Sequence, residues 1–591
     1  MSIKLTNYAL LMASMALLIQ GCGGGSSVVD GGSNQPVLSV AAVGAPISLG
    51  TISAIDKNGQ TASTDVAADG SYSLSFISGL TAPVLLRVEG VSGGRTIVHF
   101  GVATSTSLSV VNVTPVSTAV VAQVMQADPG TVFATADTAK IALLTQSQVE
   151  AASNIIGAEL AAARSAAGLS GTGSLDFLNT AFSADKTGLD KVLDLVRVSV
   201  QPDRSIQLKN KTDDGVTTVG TNGSVSGSLG TIASIDTKSI DTLGASLQAA
   251  FQNGAAPWLS ASPSVLNLFS SDFLHGGEGR SAVIASLAQE AEDMRGAQFL
   301  PGKVVNCASS AGGTVCEVQY TIRYTDGAVE VFTFPVRQEG SAWKLYGDQA
   351  PTSTQYGAVV YRTKSGTTVN TRSGFNIQVY DDASIGGTPV GFVKIWFGTN
   401  TSGTADGVFV NPNPRVATVQ HCGGNSAGYL EVLTDVNNVN SCAGNFIELT
   451  DTQIGQLRSN FSTSRPKITV RYYDAAGNRI GASEYVITVE SLPLKTTEVT
   501  DGHFAVINDS SWTQFAAANL NTQFTLSVTK GPNVGLEDVV GAGPLGTTLT
   551  TQNLPYSTIR TGTSWSALKA NSSLITVTRD ADGRMYWYQR Q

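Results

Sequence analysis

A rhythm constrains this chain more than any single residue does. Short runs of alternating apolar and polar residues recur along most of its length, punctuated by glycine-bearing turns. The clearest run sets Cys316, Val318, Tyr320, Ile322 and Tyr324 against Glu317, Gln319, Thr321 and Arg323. Residues two apart share one face of a strand, so one row can enter a core while the other stays outside. Asp326-Gly327 then offers a hairpin turn, Val329 to Val336 returns, and Gly340-Ser341 turns again into Ala342-Trp343-Lys344-Leu345. Hydrophobic residues make up 42% of the chain, enough to build cores and to exclude wholesale disorder. Glycine supplies 62 of the 591 residues and charged residues only 14%, against about 25% in an average soluble protein. The predicted class is mainly β and multidomain, with roughly three to five domains for this length.

Thirty-six Lys and Arg face 45 Asp and Glu, a net charge of −9. That balance speaks against a nucleic-acid partner, which needs a basic footprint. Four scattered histidines and no cysteine pair at zinc spacing speak against a multi-ligand zinc enzyme, and no metal or cofactor is expected. Five cysteines remain to be explained: Cys22, Cys307, Cys316, Cys422 and Cys442. Cys22 follows an apolar run from Tyr8 to Ile19 that only Ser14 interrupts. That run is too short for a comfortable span of about 20 residues but suits a signal-peptide core.

The string Leu18-Ile19-Gln20-Gly21-Cys22, followed by Gly23-Gly24-Gly25-Ser26-Ser27, resembles a bacterial lipoprotein lipobox. The resemblance implies cleavage before Cys22, a thioether-linked diacylglycerol on its thiol, and a flexible tether over 22–36. Several acyl chains on one residue meet the need for more than one anchoring signal. Gly23 is not the Asp that in this resemblance marks inner-membrane retention, so an outer-membrane location is expected, facing either side. The other four cysteines form an even set in an exported chain and read as disulfides. Three pairings are open, and the two local ones, Cys307–Cys316 and Cys422–Cys442, are favoured.

Residues 37–115 read as short strands with turn signals at Lys57-Asn58-Gly59 and Asp69-Gly70, and Ser71 to Phe76 alternates as a strand would. Together with Ala42-Val43-Gly44-Ala45-Pro46-Ile47 and Ala54-Ile55-Asp56, these motifs resemble a carboxypeptidase-regulatory-like (transthyretin-type) β-sandwich. The resemblance implies a structural or weakly carbohydrate-binding module and transfers no catalytic residue. Residues 116–236 read as a helical connector. Ser147-Gln148-Val149-Glu150 resembles a capping box, a second helix starts near Thr187, and the Gly/Thr/Ser-rich stretch 212–229 reads as a linker. Helices followed by the alternating strands over 237–350 resemble the α+β cone of the nuclear-transport-factor-2-like family, whose cone often encloses a pocket. Residues 351–491 read as an Ig-like β-sandwich and 492–591 as a further C-terminal β domain.

Candidate chemistry is sparse. Gly90-Val91-Ser92-Gly93-Gly94 matches a nucleophile elbow, but strands flank it where a helix should follow. Gly541-Ala542-Gly543-Pro544-Leu545-Gly546 matches a dinucleotide fingerprint, yet β-like Thr547 to Thr550 follows it. Asp185 to Asp190 hints at a calcium loop, but Lys186 intrudes and no bidentate Glu follows; Thr187 as a helix N-cap explains the segment. Asp272 and His275 are the one close pair suited to acid–base work in the cone, against a reading as a solvated helix C-terminus. His99 reads as a core or surface histidine, and Trp343 and Trp396 as core. Trp512, Trp565 and Trp587 are candidate platforms for a sugar face. The expected function is a membrane-anchored envelope lipoprotein, a binding or structural scaffold whose partner is a glycan or envelope protein. The alternative is an enzyme or small-ligand binder using the cone.

Overall fold

A computed structural model describes residues 38–169, 176–310, 312–379, 384–398, 416–420, 431–432, 446–510, 512–513, 524–525, 528–542, 547–549, 555–556 and 573–591. The expected signal peptide, Cys22 and its tether, Cys422, Cys442 and Trp565 lie outside the described residues. The chain is mainly β and multidomain, as the alternation predicts.

The first unit is a four-stranded antiparallel sheet, ordered Thr61–Asp65, Ser48–Asp56, Val84–Ser92 and Arg95–Ala103. Asp56 holds its first turn by accepting from the N–H groups of Asn58 at 2.8 Å and Gln60 at 2.9 Å. The alternation of Ser71 to Phe76 does not yield a full strand. Only Ser71–Tyr72 pairs, and Leu74–Ile77 is a 3₁₀ turn capped by Ser73. Gly90 to Gly94 is the tip of a hairpin, with Ser92 buried. At Gly94, φ is +69° and an added Cβ would stand 2.4 Å from Val331, so only glycine lets this tip rest on the α+β unit.

The second unit begins with helices. Pro115–Met125 carries a true capping box between Thr114 and Ser117. Gln146–Glu159 is capped by Thr145, two residues ahead of the expected Ser147. Gly188–Leu195 buries Leu189, Val192 and Leu193 as expected. The stretch expected to be a linker is structured instead. Val196–Val200, Ile206–Asn210, Val216–Val219 and Val225–Ser228 form a four-stranded antiparallel meander. Thr and Val favour extended backbone, and Gly223 takes the left-handed turn position between the last two strands, so a composition that resembles a linker closes a hairpin here.

The third unit packs helices Lys238–Gln252 and Arg280–Glu290 on an antiparallel sheet. In that sheet Gly313–Arg323 pairs with Lys303–Ser310 on one side and Val329–Glu339 on the other, and Ala342–Leu345 follows. Cys307 and Cys316 face each other across the first pair and form a disulfide.

The boundary expected at 491/492 does not separate two sheets. A seven-stranded sheet joins Phe446–Glu448, Thr368–Val379 and Thr354–Ser365 to Met585–Arg590, Ser573–Asp580, Val534–Ala542 and Thr547–Leu549. Thr354–Ser365 pairs in parallel with Met585–Arg590, a partner more than two hundred residues downstream that local alternation cannot disclose. A five-stranded sheet built on Phe392–Phe397, Lys467–Tyr473 and Arg479–Thr488 shares a core with one end of it. Trp343 and Trp396 are buried, as expected.

Buried charges join the units. Lys186 is 2% exposed, and its ammonium donates to the Gly44 carbonyl at 2.7 Å and pairs with Asp194 at 3.2 Å. Its backbone N–H donates to Asp190 at 2.8 Å. At Gly44, φ is +85° and an added Cβ would meet Asp194 at 2.4 Å, so glycine is required. Replacing Lys186 by Met leaves two buried carboxylates without their cation. We expect a loss of about 3–5 kcal/mol in urea unfolding, and partial recovery when Asp194→Leu is added. A loss below about 1 kcal/mol, the range of an exposed pair, would show that the pair is dispensable.

Candidate functional site

The α+β unit is the place where sequence reasoning expects a pocket. Its interior is filled by aromatic rings: Phe251 stacks on Trp258 with centroids 4.4 Å apart, and Phe332 on Phe334 at 4.9 Å. Tyr320 is fully buried, and its hydroxyl donates to the Ile240 carbonyl at 2.8 Å. Asp272 and His275 do not converge on a cavity. Asp272 accepts both guanidinium arms of Arg337, at 2.7 and 2.6 Å, and these bonds hold its carboxyl below the usual range. His275 accepts from the Asp348 N–H through Nδ1 at 3.4 Å and rests against Phe334, with centroids 4.7 Å apart. Neither residue sits at a helix end. Leu274–His275 pairs with Glu278–Gly279 across a Gly276-Gly277 turn.

Other candidates resolve into structural roles. Thr187 stands at the N-cap position, but its hydroxyl donates to Asp185 at 2.6 Å and does not cap the helix. The carboxylates of Asp190 and Asp194 are met by Lys186, and burial, reinforced by the neighbouring Asp194, pushes Asp190 upward. Among the described residues no cluster of His, Cys, Asp and Glu could hold a metal ion. The strand Val534–Ala542 runs into the Gly541 motif, and the described residues just after it, Thr547–Leu549, pair back on that strand and are not helical. Trp512 is half-buried under Arg590, whose guanidinium lies 5.3 Å from its ring. Among the described residues no helix is long and apolar enough to cross a membrane.

Trp587 leads to a more developed surface. In the seven-stranded sheet Tyr361 lies between Arg372 on one neighbour and Trp587 on the other. Two residues on, Thr363 lies between Asn370 and Gln589, and Ser365 faces Thr368. The period of two puts all three rows on one face. The first row is aromatic: Tyr361 lies 5.5 Å from Trp587 and 4.8 Å, edge-on, from Phe446, and Arg372 stacks over Tyr361 and Phe446 at 5.9 and 5.4 Å. The next two rows, with Arg372 and Gln591, line an open groove of about 350 Å³. The intervening residues Val360, Tyr586 and Tyr588 point the other way, into a core with Leu494 and Phe504.

A second feature escapes sequence reasoning altogether. Where the units meet, Arg197 pairs with Glu490 at 3.5 Å and lies 3.8 Å from Asp582, and Arg584 pairs with Asp582 at 2.9 Å. Burial opposes the charge on Glu490, yet Arg197, Arg95, Lys303 and Arg579 hold its carboxyl down at about 2. Burial moves Lys303 the other way, to about 8. Arg197 and Glu490 lie 293 residues apart, and no local pattern announces their pairing.

No known protein family and no curated protein matches the chain. A chain from a structural study of host cell surface retention of a 1.5-MDa bacterial ice-binding adhesin is 12% identical, over 47% of this chain and 72% of that one. Its TM-score of 0.12 is too low to carry an argument.

His99 yields a pH prediction. It is 6% exposed on the strand Arg95–Ala103, with Nδ1 3.2 Å from the Thr118 hydroxyl, and burial pushes its pKa down to about 3. An unfolded histidine titrates near 6.5, so acidification below about pH 6.5 protonates the unfolded chain first. Stability present at neutral pH is then lost toward pH 3, by about 1.4 kcal/mol per unit from this group. His99→Gln should flatten the fall in urea midpoint between about pH 6.5 and 4. An unchanged slope would assign the loss to other groups.

Proposed function

We propose that this chain is an exported, lipid-anchored envelope protein that acts as a binding or structural scaffold and not as an enzyme. The observation that carries the reading is the filled interior of the α+β unit. Phe251, Trp258, Phe332 and Phe334 occupy the space an acid–base site would need. Asp272 is engaged by Arg337, and His275 by Asp348. An enzyme or small-ligand pocket at that place, the alternative reading, would require those groups to converge on open space.

The unit order supports the same reading. A β-sheet unit, a helical layer, an α+β unit and a C-terminal pair of sheets follow one another along the chain, the order in which the proposed carboxypeptidase-regulatory-like module, nuclear-transport-factor-2-like cone and Ig-like strands would stand. Such units serve display better than turnover when their interiors are closed. The anchor rests on Cys22 and the apolar run before it; an outer-membrane location and a glycan or envelope-protein partner belong to the same proposal.

Expression of the full chain with an alkyne-tagged palmitate tests the anchor. The wild type should carry the label and sediment with outer-membrane fractions, and Cys22→Ser should lose both. A labelled Cys22→Ser protein, or an unlabelled wild type, would overturn the lipid anchor.

A further inference from the structure

We propose that the face of the seven-stranded sheet carrying Tyr361, Thr363 and Ser365 is a binding site for a neutral saccharide chain. The inference rests on the scaffold reading and gives that scaffold a ligand class and a place to hold it.

The argument begins with the order of the rows. From Tyr361 to Ser365 the strand rises about 13 Å. Along that length the face changes from aromatic to amide and hydroxyl. A sugar ring has the same two characters: its C–H face packs on an aromatic ring, and its equatorial hydroxyls both donate and accept. Tyr361 and Trp587 provide rings at one end. Asn370 and Gln589 provide amides on either side of Thr363, one row further on. Amides and hydroxyls each offer donors and acceptors, matching adjacent sugar hydroxyls. The side chains of Thr363, Ser365, Thr368 and Asn370 make no hydrogen bond among the described residues, which leaves their polar atoms available to a ligand.

The charge of the groove selects within the saccharides. Among the described residues, Arg372 is the one charged side chain lining it. Its guanidinium is already engaged, stacked over Tyr361 and Phe446 and 3.9 Å from Glu448. An anionic glycan would need cations that this face does not present, on a protein whose net charge is −9. Neutral hydroxylated rings need only what the three rows supply. The site is also preorganised, because the Tyr361 and Thr363 rows are fixed by strand pairing on both sides and the Ser365 row by Thr368 on one.

The test uses the full lipidated chain in lipid nanodiscs, free of sugar-based detergent, and isothermal titration calorimetry. The probes are a β-glucan hexasaccharide, chitohexaose, a mannohexaose and a uronate hexasaccharide. At least one neutral probe should bind, with a Kd that stays constant between about 50 and 500 mM NaCl, since no ion pair is screened. Thr363→Ala combined with Asn370→Ala should weaken it by about tenfold or more, the cost of losing two hydrogen bonds. Asn370 is exposed and Thr363 half-exposed, so an unchanged melting temperature will show that the variant folds. Trp587→Phe keeps a ring but removes the indole N–H, and should weaken binding less. The site is overturned if no neutral probe binds, if the double variant binds as wild type does, or if the uronate binds more tightly and salt weakens it. Binding that survives the double variant would move the glycan elsewhere without touching the anchored-scaffold reading, which the lipid label tests independently.

Discussion

Lys211 is the residue through which the units of this protein are joined. Its backbone N–H donates to the Leu195 carbonyl at 2.9 Å, at the end of the helix Gly188–Leu195. Its ammonium, 6% exposed, donates to the carbonyls of Leu193 at 2.7 Å and Val304 at 2.9 Å. Its own carbonyl accepts from the Cys307 N–H and, at 3.4 Å, from Arg465. One residue thus ties the helical layer, the meander, the disulfide-bearing strand of the α+β unit and the C-terminal sheets. Burial pushes its ammonium down to about 7, so charging it there carries a penalty. What offsets that penalty is specific, because two buried carbonyls would otherwise lack donors, at about 1–3 kcal/mol each.

The same logic extends outward. Arg465 reaches Asp214 at 3.3 Å, and Lys467 shares that carboxylate. Arg87 donates to the Pro532 carbonyl at 3.2 and 3.1 Å, joining the first sheet to a C-terminal loop, and Asn533 donates to Asp128 at 2.7 Å. Several of this chain's few charges therefore lie where its units meet. Exposed pairs would contribute little; half-buried, hydrogen-bonded pairs between units define one mutual arrangement, because a shifted unit would strand them in a low dielectric. The low charge noted from composition is not uniform dilution. Some of those few charges, among them Lys186, Asp194, Lys211, Arg465, Asp582 and Arg584, are buried.

This partition explains what could be read from the letters and what could not. Alternation from Cys316 to Tyr324, with Asp326-Gly327 and Gly340-Ser341, specifies the α+β sheet because register and turn chemistry are local. Cys307 and Cys316 follow from the same register. The stretch 212–229 misleads, since turn-rich composition is shared by linkers and tight meanders and only the packing of Val216 and Val219 distinguishes them. The 491/492 boundary fails because Met585–Arg590 returns to pair with Thr354–Ser365, a decision made by tertiary contact. Asp272 and His275 are close in sequence, but proximity is not convergence: Arg337 and Asp348, far along the chain, claim them separately. Trp587 was legible as a candidate, yet its companions Tyr361, Thr363 and Asn370 become visible only once the register of three strands is known.

That register also sets the candidate groove. Alternate residues of Thr354–Ser365 serve opposite ends. Val360 and Arg362 face the C-terminal core, where Arg362 stacks over Phe504 at 4.4 Å and reaches Asp501 at 2.5 Å. Tyr361 and Thr363 face outward. A slip of one residue would exchange the two rows, burying Thr363 and exposing Val360. The core therefore specifies the groove: the free energy that keeps Val360, Tyr586 and Tyr588 inside is what holds the aromatic and amide rows in line. A binding face built this way needs no mobile lid and no induced closure. Its rigidity lowers the entropy lost on binding, as the proposed scaffold role requires.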